Sequence, residues 1–222
     1  FTKYILAEKC DYIKICDLAK EMGFEGIEFT PLENKSYGIT DDPMKTAKEI
    51  REHCEKIGLE IIAYTVGADI RAKKEEAVRE ICAYIDVAEA LGAKTLRHDV
   101  CYSLTGKGTG RSFDAMLPIL AKNARAVTEY AATKGIRTCT ENHGYIAQDS
   151  DRVERLFNAV NRDNFGILVD IGNFVCVDED NVTAVSRLAP YAVHVHAKDF
   201  FIQEFGTRPE GWGTTRGRRY YC

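Results

Sequence analysis

Four times along this chain a helical run ends at a glycine and a strand-like run begins a few residues later, in the phrases MGFEGIEF, IGLEIIAY, LGAKTLRH and KGIRTCTE. A glycine in that place ends a helix cheaply, because it accepts a left-handed backbone. The spacing of successive strands, roughly 26 to 42 residues, is that of one βα unit. A chain built this way forms a parallel sheet covered by helices.

The periodicity predicts helices over Tyr12–Gly23, Pro43–Ile57, Lys73–Leu91, Phe113–Lys134, Asp151–Val160 and Asn181–Leu188. It predicts strands over Gly26–Thr30, Glu60–Val66, Thr95–Val100, Arg137–Asn142, Gly166–Asp170 and Ala192–Ala197. The strand interiors are apolar and β-branched, as strands covered by helices require. The tail from Phe200 to Cys222 carries Gly, Pro and Arg without a helical period.

Two architectures fit, a doubly wound open sheet and a (β/α)8 TIM barrel. An open sheet gathers its site at one switch point, whereas a barrel collects residues from the carboxyl ends of many strands. Here strand after strand ends in polar residues: Glu28, Arg97 to Asp99, Glu141 to His143, Asp170, and His194 to Lys198. The dinucleotide fingerprint is absent, and GKGTG at Gly106 lacks the G-K-[ST] ending of a phosphate loop. The expectation is therefore an α/β chain forming one TIM-barrel domain over residues 1–222. Six strands are present where a barrel has eight. They read as strands two to seven, with strands one and eight outside this sequence.

Composition removes several classes. With 45% hydrophobic and 29% charged residues the chain reads as globular. No apolar run reaches ~18 residues and the start lacks a signal-peptide pattern, so no membrane span or targeting segment is expected. Thirty Lys and Arg against 34 Asp and Glu give a net charge of −4, which opposes nucleic acid as a partner. Eight cysteines without a C-x-x-C pair read as reduced core thiols in a cytoplasmic protein.

Three residues stand out chemically. Glu141 in TCTENHG and Asp170 in ILVDIGN end buried strands, where a carboxylate needs a cationic partner. A helix cap is the competing role for Asp170, and Gly172 argues against it. His196 in HVHAKDF shares one strand face with His194 and Lys198. Two carboxylates and an imidazole from three consecutive strands make an N/O donor set. It suits a divalent metal, with Mn2+ expected and Mg2+, Co2+ or Zn2+ as alternatives. Such an ion polarises a carbonyl and its neighbouring hydroxyl, and a nearby carboxylate can then take the α-proton to give an enediolate.

GFEGIEF, E-N-H-G after strand five, D-x-G-N after strand six and H-x-H-x-K-D on strand seven resemble the xylose isomerase-like TIM barrels, the sugar phosphate isomerase/epimerase superfamily. The likeness covers nearly the whole chain. It implies a metal held by Glu141, Asp170 and His196, with a fourth ligand, a Glu on strand eight, that this sequence does not contain. It further implies Glu141, His143 and Lys198 as catalytic groups, with His143 in an acid/base role and Lys198 as partner to an anion or carbonyl. Glu28, His98, Asn173, Trp212 and Arg216 are the expected substrate-binding residues. Glu28 is expected beside substrate or metal, or else as a barrel-lining partner of Arg97 or Lys198, and His143 is open to a substrate-ligand role as well. His98 is expected in the barrel mouth, Asn173 on a hydroxyl, and Trp212 and Arg216 in a covering loop after strand seven.

The function implied is a divalent-metal-dependent isomerase or epimerase of a small sugar, sugar phosphate or cyclitol. The partner is then a small polyhydroxy carbonyl compound, and a homo-oligomer is compatible with this reading. A second reading keeps the site but ends in β-elimination, as a dehydratase or lyase on a keto-cyclitol, dehydroshikimate-like or C-glycoside substrate. A third is a barrel fragment inactive alone, with two exposed sheet edges. The apurinic endonuclease branch of the same barrel needs a His-rich trinuclear site, against which stand five histidines and Asn173 in a ligand position.

Overall fold

A computed structural model describes residues 11–33, 41–71, 74–104, 112–204, 213–214 and 218–221. Six strands, β1 (Gly26–Phe29), β2 (Glu60–Val66), β3 (Thr95–His98), β4 (Arg137–Glu141), β5 (Phe165–Asp170) and β6 (Ala192–His196), form one sheet in sequential order. Every pairing is parallel. Helices α1 (Tyr12–Glu21), α2 (Pro43–Ile57), α3 (Lys74–Leu91), α4 (Phe113–Thr133), α5 (Ser150–Val160) and α6 (Asn181–Leu188) alternate with the strands. The sheet curls into a half-barrel, an incomplete TIM barrel. The carboxylate of Glu28 on edge strand β1 lies 2.8 Å from Nε2 of His194 on the opposite edge, β6.

The element bounds follow from local chemistry. Asp42 accepts a hydrogen bond from the Lys45 N–H, and Pro43 opens α2 where no N–H is needed. Ser112, Asp149 and Asp180 cap α4, α5 and α6 in the same way. The glycines of the four repeated phrases, Gly23, Gly58, Gly92 and Gly135, all have positive φ, between 67° and 88°.

Period-two alternation sorts each strand into a helix-facing and an inward set. Ile27, Phe29, Tyr64, Val66, Leu96 and Phe165 pack against α1 to α5 in one large core. Thr138 of β4 meets Thr128 of α4 within it, with hydroxyls 2.7 Å apart. Ile167 and Val169 of β5 join Val153, Phe174, Ala184 and Leu188 in a second, smaller core beneath α6. Full burial of such side chains contributes about 1.5–3 kcal/mol each. Toward the carboxyl ends the inward positions fall to Glu28, Thr65, Arg97, Glu141, Asp170, His194 and His196, so that end of the concave face is polar, while Ala63, Cys139 and Leu168 share its parity.

The tail, read as lacking a helical period, carries strands. Phe201–Glu204 (β7), Gly213–Thr214 (β8) and Arg218–Tyr221 (β9) form a small antiparallel sheet in the order β7-β9-β8. Cys16, Cys54, Cys82, Cys101, Cys139 and Cys176 are free thiols. Among the described residues no helix is long and apolar enough to cross a membrane.

Candidate functional site

The carboxyl ends of β3 to β6 converge. One donor atom each from Glu141, Asp170 and His196 lies within 4.8 Å of the others, so the three can reach a common cation. Each donor is held by further contacts. Asp170 Oδ1 accepts the N–H groups of Gly172 (2.9 Å) and Asn173 (3.0 Å), leaving Oδ2 for a cation. Its own N–H and C=O are clamped by the Asn142 amide at 2.8 and 2.9 Å. A 3-10 turn, Asn173–Val177, begins there. Gly172 is the N-cap of that turn, and Asp170, two residues before it, accepts the first N–H of the turn without being its cap. A side chain at Gly172 would collide with the Lys198 carbonyl at 2.8 Å, which explains the glycine of D-x-G-N.

Glu141 Oε2 pairs with Arg97 Nη2 at 2.7 Å, and Oε1 accepts from the Asn173 amide at 2.9 Å. Burial pushes the Glu141 carboxyl up, but His196 and the Arg97 charge outweigh it and hold it at about 2. His196 turns Nδ1 toward Glu141 Oε1 (3.7 Å) and Nε2 toward Glu28 Oε2 (3.1 Å). The carboxylates of Glu141 and then Glu28 raise its imidazole to about 9, against burial. A ring that donates Nε2–H to Glu28 leaves Nδ1 as a donor to a cation, the usual arrangement of a metal-bound histidine.

Glu28 also accepts from His194, and from the Thr65 hydroxyl on its other oxygen. Burial pushes Glu28 up, yet the bonds from His194, His196 and Thr65 hold it well below the carboxylate range. Glu28 thus braces the imidazoles rather than pairing with Arg97 or Lys198. Lys198 Nζ sits 3.1 Å from Asp170 Oδ2 as its counter-charge.

One expected placement is corrected. His98 is not in the mouth: it is 0% exposed, its Nδ1 donates to the Asp99 carbonyl, and its ring lies 6.4 Å from Phe165. It shares parity with Leu96 and Val100, and that apolar face belongs to the helices. The inward places go to Arg97 and Asp99. Asn173 is 2% exposed, lines the cleft described below and donates its amide to Glu141. Trp212 and Arg216 lie outside the described residues.

Sequence reasoning named Arg97 and Asp99 among the strand-end residues but gave them no site role, and it passed over Tyr102. Arg97 Nη2 reaches Asp99 Oδ1 at 2.6 Å, so one guanidinium ties two buried carboxylates together. His143 Nδ1 lies 3.0 Å from the same Asp99 oxygen, and the Tyr102 hydroxyl donates to the other. Burial pushes Asp99 up, but His143, the Arg97 charge and Tyr102 lower it overall, so it is ionised. The signal was available: Leu96 and Val100 mark the outward face of β3, which leaves Arg97 and Asp99 inward.

A cleft of about 220 Å3 beside these groups is lined by His143, Tyr145, Asn173, Lys198 and Phe200 among others. A larger apolar groove of about 700 Å3, between α6 and the end of β6, touches the site only through Lys198. Four carboxylates (Glu28, Asp99, Glu141, Asp170) share the inner face with Arg97, Lys198 and the His196 imidazole, which still leaves more negative than positive groups. That surplus of negative charge attracts a divalent ion.

A family model described as xylose isomerase-like TIM barrel matches residues 16–219. No curated protein matches the chain. Among solved structures, the probable 3-DHS dehydratase AsbF of Bacillus anthracis superposes with a TM-score of 0.67 at 20% identity, over 89% of this chain and 69% of that one. D-psicose 3-epimerase of Clostridium cellulolyticum H10, solved with D-tagatose, gives 0.69 at 13%, over 85% and 68%. A xylose isomerase-like TIM barrel protein of Mycobacterium smegmatis, solved with magnesium, gives 0.65 at 19%, over 87% and 68%. At these identities the structures establish the fold alone. With the family model spanning nearly its whole length, the chain belongs to the xylose isomerase-like TIM barrels.

Proposed function

We propose that this chain is a divalent-metal-dependent isomerase or epimerase of a small sugar, sugar phosphate or cyclitol. The convergence of Glu141, Asp170 and His196 from three successive strands carries this reading. A divalent cation bound by these side chains supplies the Lewis acid that polarises a substrate carbonyl and the adjacent hydroxyl. Mn2+ or Mg2+ suits the two carboxylates best, with Co2+ and Zn2+ served by the imidazole.

The chain's own groups supply the rest. Glu141 and His143 serve the step in which a proton leaves one carbon and returns through an enediolate, to the neighbouring carbon in an isomerase or to the opposite face of the same carbon in an epimerase. Lys198 lines the cleft and, when a cation takes over Asp170, becomes available to an anionic or carbonyl oxygen. Asn173 and Arg97 fix Glu141, and Glu28 fixes His196. The proposal is tested by isothermal titration of Mn2+ into the chain and into Glu141→Ala. The expected result is binding that the substitution abolishes or strongly weakens. Equal binding by both proteins contradicts the assignment.

A second reading ends in β-elimination on a keto-cyclitol or dehydroshikimate-like compound. The half-exposed imidazole of His143 favours it, since such a ring can protonate a departing hydroxyl. Proton NMR in deuterated water separates the two: solvent exchange without net loss of water supports isomerisation.

A further inference from the structure

Beside the donors around Asp170 lies a second connected group of side chains. It comprises Arg97, Asp99, Tyr102 and His143, contributed by β3, the loop after it and the loop after β4. The two loops approach closely at Gly144, whose left-handed backbone favours glycine. Gly144 has φ +84°, and a Cβ there would stand 3.1 Å from both the Cys101 carbonyl oxygen and the Tyr102 ring. The Tyr102 ring meets the His143 ring edge-on, with centroids 6.1 Å apart. The approach of His143 to Asp99 is therefore set by backbone packing.

Asp99 is 3% exposed and each of its oxygens is occupied. Oδ1 takes Arg97 Nη2 and His143 Nδ1; Oδ2 takes Arg97 Nη1 at 3.2 Å and the Tyr102 hydroxyl. An ionised carboxylate only accepts. The ring nitrogen that faces it must then carry a hydrogen, and in the neutral imidazole the other nitrogen carries the lone pair. The His143 side chain is 44% exposed and lines the cleft, and its Nε2 has no hydrogen-bond partner among the described residues.

We infer that Asp99 is a positioning residue for His143: held by Arg97 and Tyr102, it fixes the ring as the Nδ1–H tautomer and presents Nε2 to the cleft as a hydrogen-bond and proton acceptor for a substrate hydroxyl. The role of that acceptor in turnover rests on the isomerase reading above; the tautomer does not. When Nε2 takes a proton, the substrate oxygen keeps the electron pair, and the imidazolium stays paired with Asp99. Returning the proton to the substrate restores the neutral ring, so nothing further is consumed. Arg97 also contacts Glu141, so the same guanidinium sets both the acceptor's support and a proposed metal ligand.

The test is a long-range proton–nitrogen correlation spectrum of the full chain labelled at histidine nitrogens, at a pH where His143 is neutral. His143→Gln identifies the signal. The expected wild-type pattern is Nδ1 protonated and Nε2 bare, the reverse of the form a free histidine side chain prefers. Asp99→Asn, whose amide can donate to Nδ1, is expected to switch the ring to Nε2–H. An Nε2–H ring in the wild-type protein overturns the inference without any variant, and so does a folded Asp99→Asn protein that keeps Nδ1–H. Mn2+ titration of the same samples separates the two levels. The expected tautomer without metal binding refutes only the proposed function, and metal binding with the wrong tautomer refutes only the role of Asp99.

Discussion

The inner face of the half-barrel has two walls that use the same residue types to different effect. On the β3–β4 wall, Arg97, Asp99 and Glu141 are almost wholly buried, and the guanidinium satisfies both carboxylates directly. On the β1/β6 wall, Glu28, His194 and His196 keep 18–32% of their side chains exposed and meet across the concave face. The first wall lies on interior strands whose registers are fixed on both sides. The second joins the two edge strands of the sheet. A buried ion pair is costly to break because the remaining charge has no solvent to turn to. A partly exposed pair is screened and loses little. Stability thus concentrates in the wall that holds Glu141, and adjustability in the wall that presents His196.

Substitutions at matched positions sharpen the contrast. Arg97→Met leaves Asp99 and Glu141 buried without their cation and is expected to cost about 3–5 kcal/mol in urea unfolding. A loss below about 1 kcal/mol, the range of exposed pairs, would show that this wall is as screened as the other. Asn142→Ala removes the clamp on both backbone groups of Asp170 and is expected to cost about 1–3 kcal/mol. On the other wall, Glu28→Gln should change stability little but weaken Mn2+ binding about 10- to 100-fold, because it replaces the charged, two-oxygen acceptor that orients His196 with an amide of one acceptor oxygen. Unchanged affinity there would deny Glu28 that part.

The smallest effect is one of pH. In metal-free protein His196 titrates at about 9, above the unfolded value of 6.5. The folded state therefore binds this proton more tightly. Its contribution is fully present below pH 6.5 and disappears as pH rises through about 9, amounting to about 1 kcal/mol or less after screening. Thermal melts in EDTA should show this decline in the parent chain and lack it in His196→Gln.

How much of this could be read in advance varies by residue. The helix ends were legible because glycine at a left-handed position is a local requirement. Glu141, Asp170 and His196 were legible because each ends a strand of clear parity. Arg97 and Asp99 carried the same parity signal, from Leu96 and Val100, but a histidine between them drew the assignment to His98. The contact of His143 with Asp99 spans 44 residues and depends on loop packing at Gly144, which no local pattern encodes. The β7–β9 pairing was hidden for the same reason, since Phe201 meets Tyr221 across a segment without periodicity.

The central claim is that one cation is shared by three strand ends. Diffraction from crystals soaked in Mn2+, recorded where manganese scatters anomalously, tests it directly. The account predicts an anomalous peak in bonding contact with carboxylate oxygens of Glu141 and Asp170 and with Nδ1 of His196. A peak between Glu28 and His194 instead, or none on the inner face, would contradict it.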